Sequence, residues 1–314
     1  MSSAHIPDGA EVPDPFLEEV SPGIYAYIQL DGSWGLNNTG FIVGEDAVTV
    51  IDSCFNEKRA RAYNDVIAGV TSLPIRTLVN THHHGDHTNG NYLSPQATII
   101  GHEQCRQWMI DTAVSSNRHA GLFPNVDWGD IKIAPPFVTF EDRLNIYVGD
   151  LKVEAIYVGP AHTTNDVILW IPERKLLFAG DIIFNGGTPF VSMGSVAGML
   201  VALEQVRSLG AEKIVPGHGL VCGAEQIDEQ VAYLRFVQEV ARKGFDAGQT
   251  PLEAATAADL GRFAPLLDAE RLVGNLHRAY SEIKGEPLGT TLDLPMVVAD
   301  MITLNGGKPV RCVA

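Results

Sequence analysis

The sequence predicts a protein of the mixed α/β (α+β) class, with a mostly helical extension at its C-terminal end. Three observations support this prediction. Short apolar, β-branched segments recur between residues 23 and 215, and segments with helical spacing separate some of them. From residue 224 onward the apolar spacing is mainly helical. No repeat or linker cleanly divides the chain, so the helical extension is expected to pack on a single αβ domain.

The first half of the chain is predicted to form hairpins followed by a helix and a buried strand. Residues 1–20 are rich in Pro, Asp and Glu and are expected to form an extended, poorly specified N-terminal arm. A helix is predicted over 56–70 from the spacing of its apolar residues, and another is expected to begin near 101–102. Residues 111–136 show little periodicity and suggest a long surface loop. Strands are predicted at 23–30, 40–43, 47–52 and 75–80.

The second half is predicted to add further strands before the helical extension begins. A helix is expected near 196–209, and helices are expected from 224 and across 251–283. The last thirty residues are mixed in character, with Pro287, Pro295 and a glycine pair at 306–307. We therefore predict an arm over 1–20, a domain over 21–223 and an extension over 224–314. Strands are predicted at 145–148, 151–158, 167–171, 175–179 and 213–215.

The charge balance argues against nucleic-acid partners. The chain carries 38 acidic and 22 basic residues, a formal charge of −16, and has no local cluster of Lys and Arg for phosphate backbones. No apolar run approaches the roughly 18 residues that a membrane span needs. Four scattered cysteines and an N-terminus without signal-peptide features favour the cytoplasm as the location.

The hexapeptide His82-His83-His84-Gly85-Asp86-His87 directly follows a predicted buried strand. In extended backbone, residues two apart point to the same side, so His82 and His84 are able to direct two imidazoles at one point. Gly85 permits a tight turn, after which Asp86 and His87 face a neighbouring point. His83 points the opposite way and is interpreted as structural. Imidazole and carboxylate are ligands that zinc and similar divalent ions accept.

Three later residues strengthen this interpretation. His162 lies in GPAHTTND, Asp181 in FAGD and His218 in VPGHG, each where a predicted strand ends. Loops on a rigid sheet are able to converge at strand ends, and binding groups often cluster there. The sequence therefore predicts one metal centre assembled from distant segments.

These motifs resemble those of the metallo-β-lactamase superfamily. The resemblance covers roughly residues 20–225 and consists of Asp52 at the end of VTVIDS, the HxHxDH run, and then single His, Asp and His positions in order. It implies a four-layer αβ/βα sandwich of two mixed β-sheets flanked by helices. It also implies that Asp52 orients a ligand, since metal sites need such support.

The resemblance further implies two divalent metal ions, zinc in the first place, with iron or manganese as alternatives. His82, His84 and His162 are expected to hold the first ion, Asp181 to bridge the two, and the second to be held by Asp86, His87 and His218. A hydroxide shared by the ions is expected to attack the carbonyl of an ester, thioester or lactone. Asp86 is expected to be catalytic, orienting this nucleophile and carrying its proton.

The substrate is less sharply predicted. Asp181 resembles the bridging carboxylate of glyoxalase II and lactonase-type members, which disfavours antibiotic hydrolysis, whereas HTTND departs from the HTxGS or HTxGH run of those members. Trp34, in the Gly-rich segment DGSWGLNN, is a candidate for contact with a small-molecule substrate. An apolar pocket wall is expected from Trp108, Trp128, Phe184 and Phe190.

Two other functions on the same fold stay open. An iron-dependent oxidoreductase is disfavoured for two reasons. Flavodiiron proteins need a flavodoxin-like domain, for which the residues after His218 are too few and too helical. Persulfide dioxygenases use one iron, whereas the set of seven ligands here suits two metals. A phosphodiesterase is disfavoured by the acidic balance. The family habit suggests a homodimer, and neither a nucleic acid nor a membrane is expected as a partner.

Overall fold

The computed structural model describes residues 12–113 and 122–314. The first sheet is mixed and has seven strands, and neighbours in the sheet are also neighbours in the chain. The first four strands are mutually antiparallel, and the later ones are added in parallel. The strands are β1 (Phe16–Ser21), β2 (Ile24–Ile28), β3 (Thr39–Val43), β4 (Val48–Ile51), β5 (Ile75–Val79), β6 (Thr98–His102) and β7 (Val138–Phe140).

A second, five-stranded mixed sheet has the strand order β12-β11-β10-β9-β8. Its neighbours are antiparallel except for the parallel pair β11 and β12. Because parallel strands end at the same edge, this pair places two distant chain segments side by side. The strands are β8 (Arg143–Val148), β9 (Leu151–Tyr157), β10 (Val167–Ile171), β11 (Leu176–Phe184) and β12 (Lys213–His218).

The helices flank the two sheets and continue into the C-terminal region. None of those that the structure describes is long and apolar enough to cross a membrane. They are α1 (Glu57–Val70), α2 (Gly85–Thr88), α3 (Glu103–Ala113), α4 (Val196–Leu209), α5 (Glu225–Asp246), α6 (Pro251–Ala257), α7 (Arg271–Ile283) and α8 (Leu294–Leu304).

Three apolar clusters show how the layers stack. One lies between the sheets, where Ile42 of the first sheet and Leu169 of the second belong to the same cluster. Another joins the outer face of the first sheet to α1 through Tyr63. The largest joins the outer face of the second sheet to α4, α5 and α7. The order helix, sheet, sheet, helix confirms the predicted four-layer αβ/βα sandwich.

The C-terminal helices pack on the second sheet. Leu234 of α5, Leu276 of α7 and Met301 of α8 belong to the same cluster as Ile182 of β11. The helical character expected after residue 224 is thus observed. The division of the chain into arm, domain and extension stays a prediction.

The structure differs from the predicted elements at the chain ends and around the predicted loop. Strand β1 occupies Phe16–Ser21 within the predicted arm, because its backbone pairs with β2, a contact that no local pattern encodes. Residues 1–11 of the arm and 114–121 of the predicted loop lie outside the described residues. Strands β6 and β7 were not predicted, and helix α3 begins at Glu103, just after β6.

Two further differences concern the C-terminal half. Strand β11 continues to Phe184 and β12 to His218, so Asp181 and His218 lie within strands and not beyond their ends. Pairing between these two strands extends both of them past their glycines. Helix α8 forms in the segment that shows mixed sequence character, because Val297 and Met301 find a buried surface to pack on.

Candidate metal centre

The seven predicted ligand residues converge at one edge of the sandwich. They form two adjacent groups, within each of which the ligand-type atoms lie within 4.8 Å of one another. The turn between β5 and α2, helix α2 itself, the β9–β10 loop and the paired strands β11 and β12 supply them. The first group is His82, His84, His162 and Asp181, and the second is Asp86, His87 and His218.

Asp181 joins the two groups. Its Oδ1 lies 3.1 Å from Nε2 of His87, and its Oδ2 lies 3.2 Å from Nε2 of His162 and 3.5 Å from Nε2 of His218. The neighbouring strand must carry glycine beside this carboxylate, because a Cβ at Gly217 would overlap Oδ1 of Asp181. A single buried carboxylate therefore contacts imidazoles of both groups, as expected of a bridging ligand.

Asp52 fixes the orientation of two imidazoles. Its Oδ2 lies 2.8 Å from Nδ1 of His87 and accepts the hydroxyl proton of Thr81 at 2.7 Å, while its Oδ1 accepts from the Thr81 amide at 2.7 Å. Since this hydroxyl donates to Asp52, its oxygen is left to accept from Nδ1 of His82 at 3.1 Å. Both imidazoles then carry their proton on Nδ1 and direct the Nε2 lone pair into the cluster.

The remaining imidazoles of the first group are held by the β11–α4 segment. Nδ1 of His162 donates to the carbonyl of Phe190, so its Nε2 faces the cluster. Nε2 of His84 lies 3.3 Å from the sulfur of Met193, and its Nδ1 lies 2.9 Å from Nε2 of His162. His84 therefore presents Nδ1 to the cluster, whereas His82 and His162 present Nε2.

The arrangement fits metal ions better than it fits a closed hydrogen-bond network. Nε2 of His82, Nε2 of His87 and Oδ1 of Asp181 are buried and make no hydrogen bond. The last two atoms lie 3.1 Å apart without forming a hydrogen bond to each other. Buried polar atoms are nearly always paired, and an unpaired one is costly. Lone pairs of imidazole and carboxylate converging in one place are the donor set that zinc and related divalent ions accept.

The charges of the cluster also favour the binding of metal ions. Burial alone would raise the pKa of Asp181, but the imidazoles of His218, His87 and His162 hold that pKa well below its usual range. Burial opposes protonation of His218, yet the carboxylates of Asp181 and Asp86 raise its pKa to about 9. Burial lowers the pKa of His82 well below its usual range. The carboxylates thus remain ionised and attract positive charge, from protons or from metal ions.

His83 lies apart from both groups, in line with its interpretation as structural. Its ring stacks on Trp108 with centroids 4.9 Å apart, and its Nδ1 lies 2.9 Å from Nδ2 of Asn165. His83 belongs to neither of the two ligand groups found among the described residues.

Five of the seven predicted ligand residues, all except His82 and His87, line a cavity of about 520 Å³. This size is ordinary for a small-molecule site. Of the aromatic residues predicted to form a wall, Trp108, Phe184 and Phe190 line the cavity. Trp128 does not: its ring packs edge-on against Phe55, 4.7 Å away.

Trp34 also lines the cavity and is held there by the C-terminal helices. Its indole Nε1 donates to Oε1 of Glu270 at 2.7 Å, and the guanidinium of Arg271 lies 4.1 Å from the centre of its ring. The ring also contacts Phe190 edge-on at 5.3 Å. Trp34 therefore lies on the cavity wall, and hydrogen bonding and a cation–π contact fix its orientation. Its contact with a substrate stays a prediction.

Sequence reasoning missed several residues of the site. Thr81 follows a buried strand, and nothing in the sequence marks it as a link between Asp52 and His82. Met193, Glu270 and Arg271 lie far along the chain from the motifs they support. Only the amphipathic spacing of the C-terminal helices hinted that this region packs against the domain.

Comparisons with known proteins agree with this geometry. A family model described as "Metallo-beta-lactamase superfamily" matches residues 32–218. The chain is 24% identical over 225 residues to "Metallo-beta-lactamase type 2" of Bacteroides fragilis, covering 68% of this chain and 83% of that protein. It is 29% identical over 170 residues to "Hydroxyacylglutathione hydrolase" of Rhodospirillum rubrum, covering 54% of this chain. The matched segment spans 56% of that second relative, little more than half of its length.

Solved structures share the fold. "Metallo-beta-lactamase from Pontibacter korlensis" superimposes with a TM-score of 0.59 at 16% identity, covering 71% of this chain and 99% of that chain. The DIM-1 metallo-β-lactamase superimposes with a TM-score of 0.57 at 18% identity, covering 72% of this chain and 99% of that chain. At these identities the likeness supports the architecture alone. Helices α5 to α8 lie beyond the segment that the family model matches.

Proposed function

This chain belongs to the metallo-β-lactamase superfamily, and we propose that it is a dinuclear metal-dependent hydrolase acting on a carbonyl substrate of the ester, thioester or lactone class. The resemblance read from the motifs is confirmed, and with it the prediction of an enzyme of this hydrolase superfamily. One observation supports the proposal of a dinuclear hydrolase. Two neighbouring ligand groups, joined by one carboxylate, lie beside a cavity.

The proposed ligands divide between two ions. The first ion is assigned to His82, His84 and His162, the second to Asp86, His87 and His218, and Asp181 to both. The nitrogen and oxygen donors favour zinc, and iron or manganese would also accept them. When bound, such ions lower the pKa of water and polarise a carbonyl oxygen.

The chain's own residues would position and serve the reaction. Asp86 is the acidic ligand most open to the cavity, with 14% of its side chain exposed against 4% for Asp181. Its Oδ2 lies 3.4 Å from Nε2 of His218. We assign to Asp86 the orientation of the nucleophilic water and the transfer of its proton. Trp34 is proposed to contact the substrate, and a homodimer in the cytoplasm stays a prediction.

A substrate panel with metal analysis tests this function. The purified protein is expected to contain about two zinc equivalents per chain and to hydrolyse at least one chromogenic ester, thioester or lactone. Chelation should abolish the activity, and added zinc should restore it. A β-lactam and a phosphodiester complete the panel. Hydrolysis of the phosphodiester alone, or activity that survives complete metal removal, would refute the proposal.

The role of Asp52 gives a prediction about metal affinity. Asp52→Asn should weaken zinc binding about 10- to 100-fold, because either orientation of the new amide sets its NH2 group against a donor. In one orientation that donor is the Thr81 amide, and in the other the NH2 group faces Nδ1 of His87 and the Thr81 hydroxyl. Asparagine tolerates the positive φ of 59° at this position, so backbone strain should not contribute. Competition with a fluorescent zinc chelator measures the effect.

The exposed Asp46, close to the same strand, supplies the matched control. Asp46→Asn removes the same charge at a distance from the imidazoles and should leave zinc affinity unchanged. Equal zinc affinities in the Asp52 variant and the unmodified protein would show that this hydrogen-bond network does not support the metal centre.

A further inference from the structure

One part of the cavity beside the ligand cluster is apolar, and the C-terminal helices form much of its wall. We call this part the apolar chamber and define it by Trp34, Leu122, Phe190, Met193, Val298 and Met301. Met193 marks its lower limit, because its sulfur touches the imidazole of His84. The chamber therefore begins directly beside the ligand cluster and ends against helix α8.

The far wall comes from the C-terminal helices and not from the segment that matches the family model. Val298 and Met301 lie on α8, well past residue 218. Met301 and Val297 are buried in the largest apolar cluster, which anchors the helix. Gly274 of α7 permits close contact with Phe190, since a Cβ there would lie 2.7 Å from the phenyl ring. The wall is thus built into the core, with little freedom to withdraw.

The chamber offers no free positive charge to a ligand. Arg271 is the only Lys or Arg among the described lining residues. Its Nη2 lies 2.9 Å from Oδ2 of Asp268, and its guanidinium faces the rings of Trp34 and Phe184 at 4.1 and 5.3 Å. Only 2% of Arg271 is exposed. Its Nη1 donates to the carbonyl of Thr188, and its Nε, which has no hydrogen-bond partner, is buried. An anionic ligand group would therefore lose hydration in the chamber without reaching a free donor.

We propose that the apolar chamber binds an uncharged alkyl or aryl group attached to the scissile carbonyl, and that Val298 and Met301 limit its length. This substrate class rests on the proposed hydrolase function. Removing apolar side chains from water is favourable, so a ligand that covers the chamber walls is bound more tightly. Because Met193 touches His84, an apolar group that fills the chamber would leave the scissile bond beside the ligand cluster.

Binding of straight-chain alcohols tests the chamber without requiring hydrolysis. The protein, as purified with its metals, is titrated with the series from 1-butanol to 1-octanol, and tryptophan fluorescence is recorded because Trp34 and Trp108 line the cavity. Affinity should rise about fourfold for each added methylene, until the chain reaches α8. An affinity that does not depend on chain length would overturn the proposal.

Variants of α8 test the length limit. Val298→Trp should fill the chamber and lower the affinity for 1-octanol at least about tenfold, while 1-butanol binding changes little. Val298→Thr keeps the side-chain shape and should lower 1-octanol affinity about threefold, which guards against a folding defect in the larger substitution. Met296→Trp on the same helix is the control, because Met296 is 50% exposed and does not line the cavity.

The possible outcomes distinguish a failure of the chamber proposal from a failure of the hydrolase proposal. If both Val298 variants bind the alcohols as the unmodified protein does, α8 does not limit the ligand and the proposal is wrong. If the length dependence and the Val298 effects appear while no carbonyl compound is hydrolysed, the chamber is supported and the hydrolase function is refuted. With an active ester in hand, KM should fall along the acyl series while kcat stays nearly constant.

Discussion

Replacing Asp181 by asparagine is expected to lower hydrolysis more than about 100-fold and to reduce the bound zinc below two equivalents. Loss of a residue that only supports a ligand typically costs 10- to 100-fold in metal affinity or activity, so loss of a shared ligand should cost more. Asp181 contacts Nε2 of His87, His162 and His218 at 3.1 to 3.5 Å. The neutral amide removes the negative charge that both ligand groups share.

Metal analysis and hydrolysis rate together measure the effect. Zinc per chain is determined after dialysis, and the rate is measured with the best carbonyl substrate from the panel at several zinc concentrations. Asp228→Asn on α5 serves as the control, since that side chain is exposed and pairs with Arg207 far from the centre. An Asp181 variant that keeps two zinc ions and full activity would show that this carboxylate does not bridge.

The local parts of this site could be predicted because they depend on local sequence. The alternation of His82 and His84 after a buried strand encodes their common direction. Gly85 was expected to permit a tight turn, but it begins helix α2 and does not adopt the positive φ that would require glycine. Strand-end positions for His162, Asp181 and His218 were close to the observed ones. The distances between these residues depend on which strands become neighbours. Periodicity does not encode that pairing; the ordered set of motifs indicated it.

The parts that could not be predicted depend on contacts across the chain. The hydrogen bond between Trp34 and Glu270 joins residues 236 positions apart. Likewise, Arg59 donates to the carbonyl of Val313, and Arg311 lies 3.1 Å from Asp31, so the C-terminal segment packs near the loop that carries Trp34. Helix α8 was missed for the same reason, because its burial depends on α7 and not on a strong pattern of its own. Such contacts give no local signal that a single sequence would reveal.

Replacing Asp86 by asparagine is expected to lower kcat by about 10²- to 10⁴-fold, the range typical of losing a positioned proton-transfer group. The carboxylate lies at the cavity, beside His218 at 3.4 Å and His87 at 3.9 Å. Asparagine keeps the shape and one oxygen but accepts no proton. KM should change little, because the apolar chamber and not this side chain would provide most of the substrate contacts.

Two explanations of a lost rate must be separated, since Asp86 is also a proposed ligand. Measuring kcat at saturating zinc, with the bound metal counted, distinguishes weaker metal binding from lost proton transfer. If zinc restores full occupancy but not the rate, the carboxylate acts on the proton; if it restores both, Asp86 is a ligand only and the assigned catalytic role is wrong. Asp86→Glu sharpens the distinction, because it keeps a carboxylate while moving it. Partial recovery of kcat by that variant, with a shifted pH profile, would tie the rate to the carboxylate and not to the volume of the side chain.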